Sequence, residues 1–188
     1  QARGRAVSLV FESQRMINVT LENFQTEVLT ASLNTPVLVD VWAQWCGPCK
    51  QLGAALELME TEDGGRFVLA KLDADKVPEI AGQLSQMFGT RSIPLCVLFV
   101  QGQPVDGFVG ALAPAQLREF LDKHLPSEAA LEAEAEVDEA HALLDAGDTQ
   151  AALEKMAQAL AADPANDDAR HDYVRLLIGT GAYEDAQA

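Results

Sequence analysis

The chain has 188 residues and is strongly acidic, since 29 Asp and Glu against 13 Lys and Arg give a formal net charge of −16. Because phosphate backbones repel such a chain, nucleic acid is excluded as an expected partner. The longest apolar runs, Val37–Val39 and Leu95–Val100, are far shorter than the ~18–20 residues of a membrane helix, so no membrane partner is expected. Three cysteines do not make a secreted disulfide framework. The composition therefore indicates a soluble globular protein from a reducing compartment, built as one domain or two small ones.

Most of the charge lies in the last third of the chain. Residues 1–126 carry 10 basic and 14 acidic side chains, a net of −4, whereas residues 127–188 carry 3 and 15, a net of −12. This shift predicts a domain boundary near Leu125-Pro126-Ser127. The apolar stretch before Glu12 is too short for a signal peptide. We therefore expect an N-terminal extension (1–14), a first domain (15–126) and a second domain (127–188).

Strand and helix patterns alternate through the first domain. The predicted strands are Met16–Val19, Pro36–Trp42, Arg66–Leu72, Leu95–Val100 and Val105–Val109. The predicted helices are Leu21–Leu33, capped by Thr20, then Gly47–Met59, Pro78–Phe88 and a last one that begins at Pro114. Alternation followed by a hairpin and a helix predicts an α/β domain with a mixed central sheet flanked by helices.

A pair of cysteines lies where a predicted buried strand gives way to a helix, in the segment Trp45-Cys46-Gly47-Pro48-Cys49-Lys50. The helix N-terminus favours a thiolate at Cys46, and Cys49 follows one turn later. Cys46 is then expected to attack a disulfide, and Cys49 to resolve the mixed disulfide. A static structural disulfide and a zinc site are the alternatives; zinc would need two more ligands from scattered residues, namely Cys96, His124, His141 and His171.

Two charged residues interrupt strands that are otherwise apolar. Asp40 lies within the second predicted strand and Lys71 within the third. Because a buried unpaired charge is costly, each needs a partner or a shifted pKa. A carboxyl buried beneath the dithiol could accept the proton of Cys49 when the mixed disulfide resolves. The alternative is that both residues lie at an edge of the sheet and reach solvent.

A proline precedes the fourth predicted strand. Pro94 could adopt the cis form and leave the backbone of Ile93 free to pair with an extended substrate. A trans proline that begins a strand is the alternative. Cys96 stands among apolar residues of the same strand, which favours a buried, inert thiol. A regulatory or client-trapping thiol is the alternative there.

The last third repeats itself with a period of 34 residues. The pairs at this spacing are Leu143 and Leu177, Leu144 and Ile178, Gly147 and Gly181, and Ala152 and Ala186. This period is typical of tetratricopeptide helix pairs and predicts an all-α tail with one repeat over about 133–166 and an incomplete second one. Because so few repeats bury little apolar surface, we expect the chain to continue beyond Ala188 or the helices to dock elsewhere. The acidic residues of 128–139 indicate a solvated helix face, with an acidic docking strip as the alternative.

Residues 16–125 resemble the thioredoxin family. The segment 39–50 is similar to its active-site signature, with Gln44 where an acid is usual, and residues 70–73, 92–94 and 109–111 are similar to its third strand, cis-proline turn and last-strand glycine. The resemblance implies that Cys46 is the nucleophile, Cys49 the resolving thiol, and Asp40 with Lys71 the buried proton-handling pair. It also implies a substrate groove formed by Trp45, Gly47, Pro48, Ile93, Pro94 and Gly110. No metal and no cofactor beyond the dithiol are expected.

The order of the two domains is similar to that of the bacterial chaperedoxins, the YbbN-like proteins, and residues 102–108 and 121–126 resemble that family's hairpin and linker. This second resemblance implies a cytoplasmic bacterial protein-disulfide reductase that protects oxidised or unfolding clients and passes them to the chaperonin. It also implies an electron donor of the thioredoxin-reductase type. Two alternatives stay open: a holdase or adaptor in which the dithiol is secondary, and an interaction scaffold with an inert fold.

Overall fold

A computed structural model describes residues 16–181 of the chain. Two compact units divide between Leu125 and Pro126, and each is described by itself below. The expected N-terminal extension (1–14) lies outside the described residues. So do Ala186 and the rest of 182–188, which were to form the end of the second repeat.

The first unit is built on a five-stranded mixed sheet in the order β1-β3-β2-β4-β5. Strands β1, β3 and β2 run parallel, whereas β4 pairs antiparallel with both β2 and β5. The strands are β1 (Ile17–Asn18), β2 (Val37–Trp42), β3 (Val68–Asp73), β4 (Leu95–Val100) and β5 (Gln103–Val109). Strand β2 is central and apolar except at one position, as expected of a strand covered on both faces. The predicted mixed sheet is confirmed.

Helices cover both faces of this sheet. They are α1 (Gly47–Glu62), α2 (Pro78–Met87) and α3 (Pro114–His124). Leucines of α1 and α3 pack with Leu38 and Leu98 on one face. Helix α2 packs with Val39 and Val97 on the other. Because side chains alternate along a strand, even-numbered residues of β2 face α1 and odd-numbered ones face α2.

The predicted first helix differs from an ordinary α-helix. Thr20 caps it as expected, since its hydroxyl oxygen accepts the Asn23 N–H at 3.1 Å and the Asn23 side chain accepts the Thr20 N–H at 2.7 Å. The backbone is then wound wide over Gln25–Thr30, with π-type hydrogen bonds, and tight over Ala31–Leu33, with 3₁₀ bonds. The buried hydroxyl of Ser32 accepts the Gly102 N–H at 2.9 Å. This hydrogen bond joins the tight 3₁₀ turn to the turn between β4 and β5.

Helix α3 is anchored by apolar burial and by ion pairs. Leu117, Leu121 and the following Leu125 are buried. The guanidinium of Arg118 pairs with Asp63 at the end of α1, and a second guanidinium, on Arg66 before β3, pairs with Asp122 of α3 at 3.1 Å. These ion pairs hold α3 against the end of α1 and the segment that follows it.

The second unit contains three helices in its described part, α4 (Glu128–Asp145), α5 (Thr149–Ala162) and α6 (Asp167–Thr180). Each begins with a side-chain cap, from Ser127, Asp148 and Asn166 respectively. Gly147 and Gly181 have φ values of 85° and 81°, so the glycines at the predicted 34-residue spacing occupy equivalent left-handed positions after α4 and α6. The all-α tail is confirmed. Its small core consists of Ala140, Ala152 and Met156.

Candidate active site

The dithiol segment lies between β2 and α1. Cys46 has extended backbone angles and caps α1, and its Sγ accepts the N–H of Cys49 at 3.2 Å. The two cysteines form a disulfide. Pro48 lies in the first turn, where its missing N–H costs no helical hydrogen bond. Gly47 and Pro48 are exposed, so the helix N-terminus that carries the sulfurs opens to solvent.

The surface beside the disulfide is apolar and accessible. Trp45 is 72% exposed, and its indole N–H donates to Asp75 at 3.0 Å, which fixes the ring next to Cys46. The residues Cys46 and Cys49 themselves are only 5% and 2% exposed. The exposed surface next to the sulfurs therefore includes the ring of Trp45 and the first turn of α1.

The turn before β4 forms the other side of this surface. The peptide bond between Ile93 and Pro94 is cis, so the alternative of a trans proline is excluded. The carbonyl oxygen of Ile93 lies 3.9 Å from Sγ of Cys46. The carbonyl of Pro94 accepts the N–H of Gly110 at 2.8 Å. These contacts place Ile93 beside the disulfide and join Pro94 to Gly110, three residues of the groove that the resemblance implies.

Asp40 is fully buried at the centre of the sheet, with 0% exposure. Its cross-strand partners are Lys71 on β3 and Cys96 on β4, so the alternative of an edge residue is excluded. Burial raises the pKa of Asp40 from 3.8 to about 6, although Lys71 and the Cys96 thiol act in the opposite direction. The Oδ2 atom has no hydrogen-bond partner. A carboxyl of this kind exchanges its proton near neutral pH.

Lys71 acts on Asp40 through its charge, without a direct ion pair. Its ammonium forms an ion pair with Glu57 of α1 at 2.9 Å and lies 5.0 Å above the ring of Trp42. It still faces the buried carboxyl, because a Cβ placed on Gly53 would lie 3.2 Å from Lys71 Nζ and 3.8 Å from Asp40 Oδ2. Because Gly53 has no side chain, Lys71 Nζ and Asp40 Oδ2 border the same space beside it.

Helix α1 connects this polar cluster to the disulfide. Cys49, Gly53 and Glu57 follow one another at a spacing of four, so they share one face of the helix. Gly53 borders the Asp40 carboxyl. The resolving cysteine is therefore one helical turn from Gly53, the residue that borders the acid predicted to take its proton.

Several contacts were not foreseen from the sequence. The Cys96 thiol is fully buried and lies 3.8 Å from Oδ1 of Asp40. Glu57 had no signal beyond its place on α1, and only the pairing of β2 with β4 could have pointed to Cys96. His124 binds Asp106 at 2.6 Å. Within residues 16–181 there is no group of metal-ligating side chains and no helix long and apolar enough to cross a membrane.

Comparison with known proteins agrees with this geometry. The thioredoxin family model matches residues 15–123, and a tetratricopeptide repeat model matches residues 143–188. Residues of this chain are 40% identical to a thioredoxin of Chlorobaculum thiosulfatiphilum over 59% of this chain and 97% of that protein. The identity is 44% to a thioredoxin of Mycobacterium bovis, over 62% of this chain and 95% of that protein.

A further relative is the bifunctional thioredoxin reductase/thioredoxin of Mycobacterium leprae, which is 43% identical over 59% of this chain and 23% of its own length. Thioredoxins work with their cysteine pair and need no external cofactor. Since the matched region contains the disulfide and both sides of its groove, the chain belongs to the thioredoxin family and is a protein thiol–disulfide oxidoreductase with a tetratricopeptide-type tail.

Proposed function

We propose that this protein reduces disulfides in client proteins and that its helical tail binds those clients. The observation that carries the proposal is the position of the Cys46–Cys49 disulfide, at a helix N-terminus and 3.9 Å from the backbone of Ile93. In the reduced protein the Cys46 thiolate attacks one client sulfur. The client S–S bond breaks, one client thiolate leaves, and a mixed disulfide forms.

The second step regenerates the disulfide seen here. Cys49 loses its proton and attacks Sγ of Cys46, which breaks the mixed disulfide and releases the second client thiolate. Asp40, whose pKa is raised by burial, takes the Cys49 proton from its position beside Gly53. Lys71 favours the ionised carboxyl before the transfer, and the two protons needed by the client thiolates come from solvent and from Asp40.

The groove for the client has two sides. One side is the exposed ring of Trp45 with the turn of Gly47 and Pro48, and the other is the backbone at Ile93, Pro94 and Gly110. An extended segment laid along the cis-proline turn would meet the Ile93 carbonyl and the sulfur of Cys46 together. Such binding by backbone suits a reductase that accepts clients of varied sequence.

Each turnover leaves the cysteine pair oxidised, so two electrons and two protons must return it to the dithiol. We infer a donor of the thioredoxin-reductase type, in the cytoplasm. The Mycobacterium leprae relative, whose name joins a thioredoxin reductase to a thioredoxin in one chain, supports this class of donor. We propose more specifically that the protein acts as a bacterial chaperedoxin, which passes its clients to the chaperonin.

Reduction of insulin disulfides by the full chain, with a reductase and NADPH supplied, tests the proposal. We expect turnover by the natural sequence, none by Cys46→Ser, and a trapped mixed disulfide with Cys49→Ser. Gly82→Ala is a control on an exposed face of α2, with no atom within 4 Å of the added methyl group, and it should retain full activity. Failure of the natural sequence to reduce insulin would contradict the proposal.

A second function, holding of unfolding clients by the tail, is favoured by one observation. A cavity of about 300 Å³ opens among the helices of the second unit, lined by His141, Leu144, Met156, Asp172, Arg175 and Leu176. Its mixed apolar and charged lining suits a peptide. The double variant Cys46→Ser, Cys49→Ser separates the two functions, because a holdase would still suppress client aggregation without a dithiol. Unchanged aggregation with that variant would count against holding.

A further inference from the structure

The third cysteine has a position of its own in the sheet. Cys96 and Asp40 are directly paired across β4 and β2, and both are 0% exposed. The Cys96 sulfur lies 3.8 Å from Oδ1 of Asp40, within the range of a hydrogen bond that involves sulfur. Cys96 also belongs to the apolar cluster that leucines of α1, α3 and the sheet form on this face.

This thiol acts as a donor to the ionised Asp40 carboxylate. Burial, and after it the charge of Asp40, raises the pKa of the Cys96 thiol well above its usual range. The sulfur therefore keeps its proton at neutral pH, and the S–H group donates to the carboxylate. The same protonation removes Cys96 from nucleophilic chemistry, since the thiolate is the reactive form.

The two oxygens of Asp40 are consequently not equivalent. Oδ1 accepts from Cys96, whereas Oδ2 is buried without a hydrogen-bond partner and faces the space beside Gly53. Gly53 lies one turn after Cys49 on α1. The oxygen left without a partner is thus the one directed toward the helix that carries the resolving cysteine.

We propose that Cys96 is a positioning residue for the redox reaction, whose S–H group holds Oδ1 of Asp40, stabilises the ionised carboxylate and leaves Oδ2 to receive the proton of Cys49. This rests on the proton-accepting role of Asp40 in the proposed function. The charged and titratable groups that act on this carboxyl are Lys71 of β3, Glu57 of α1 and Cys96 of β4. Of these, Cys96 alone contacts Asp40 by a hydrogen bond.

The first test measures the titration of Asp40 directly, by carboxyl ¹³C NMR on the full-length protein with its disulfide formed. Cys96→Ala and Cys96→Val lack a donor, so the pKa of Asp40 should rise by about half a unit, a threefold gain in proton affinity. Cys96→Ser keeps a hydroxyl donor and should return the titration to or below that of the natural sequence. Equal titration in all four proteins would overturn the proposal, as would a shift in Cys96→Ser equal to that in Cys96→Ala.

The second test observes the S–H group itself and does not depend on how any Cys96 variant folds. The chain has three cysteines, and two of them form the disulfide, so Cys96 carries the one S–H group of the oxidised protein. Its Raman S–H stretching band should move to lower frequency as the pH rises through about 6, and Asp40→Asn should abolish the movement. A band that does not change with pH would refute the hydrogen bond.

Both measurements use oxidised protein without a substrate, so they are independent of whether Asp40 serves the reaction. The role in the reaction is read from single-turnover resolution of the mixed disulfide. There Cys96→Ala should shift the pH profile by the same half unit, and Cys96→Ser should restore it. A shifted titration with an unchanged resolution profile would contradict the proton-accepting role of Asp40, while the hydrogen bond from Cys96 would stand.

Discussion

Replacement of Asp40 by asparagine should stabilise the oxidised protein at neutral and higher pH. Burial raises the pKa of Asp40 from 3.8 to about 6, so the folded state binds this proton more tightly than the unfolded chain does. The stabilising effect of the bound proton is therefore complete below about pH 3.8 and is lost as the pH rises through 6. Asparagine resembles the protonated carboxyl at every pH.

The size of the effect follows from the pKa difference. At about 1.4 kcal/mol per pKa unit, the rise from 3.8 to about 6 corresponds to ~3 kcal/mol. The free energy of unfolding of Asp40→Asn should thus exceed that of the natural sequence by about 3 kcal/mol at pH 8, and the two should converge near pH 4. Because the residue is completely buried, no reduction for solvent screening applies.

Urea unfolding at a series of pH values between 4 and 8, with the disulfide intact, measures this difference. Glu119→Gln is the matched control, since it removes an exposed carboxylate from α3 and should change stability by no more than about 0.5 kcal/mol throughout. A difference between Asp40→Asn and the natural sequence that does not grow with pH would refute the reasoning. So would a variant that is less stable at pH 8.

Two further changes test the packing and the charge around the sheet. Gly107→Ala should destabilise the fold by about 2 kcal/mol in urea unfolding, because the added Cβ would lie 2.6 Å from a ring carbon of Phe88. Gly82→Ala, on the exposed face of α2, should instead stabilise the fold by up to ~1 kcal/mol. Equal effects of the two substitutions on the free energy of unfolding would contradict this packing. Lys71→Met removes the charge that lowers the pKa of Asp40, so the carboxyl should titrate above pH 6 by ¹³C NMR, and an unchanged or lower value would argue against that interaction.

The dithiol was predictable because its chemistry is local. The spacing of Cys46 and Cys49 and their place after an apolar strand are properties of one short segment, and they led directly to a capped helix with the sulfurs at its N-terminus. The burial of Asp40 was also foreseeable, since the strand around it is apolar. The mixed sheet followed from the order of strand and helix patterns.

The partners across the sheet were not predictable in the same way. The contact between Cys96 and Asp40 depends on the register of β2 and β4, and one residue of slip would turn Cys96 to the opposite face. The ion pair of Lys71 with Glu57 was not predictable from the strand pattern either, because it depends on how α1 packs on the sheet. The wide winding over Gln25–Thr30 was not predicted either, because a segment of six residues is too short for its apolar pattern to distinguish π-type from α-helical bonding.

The anchoring of α3 has a mechanical consequence. His124 ends α3 and Glu128 begins α4, so any tension that a bound client exerts on the tail enters the redox unit through this helix. Helix α3 shares no ladder hydrogen bond with the sheet. Side chains alone hold it: buried leucines, ion pairs to Asp63 and Arg66, and the contact of His124 with Asp106 of β5. Such a load therefore reaches α1 and β5 through the side chains of α3, and not through the backbone hydrogen bonds that hold the strands together.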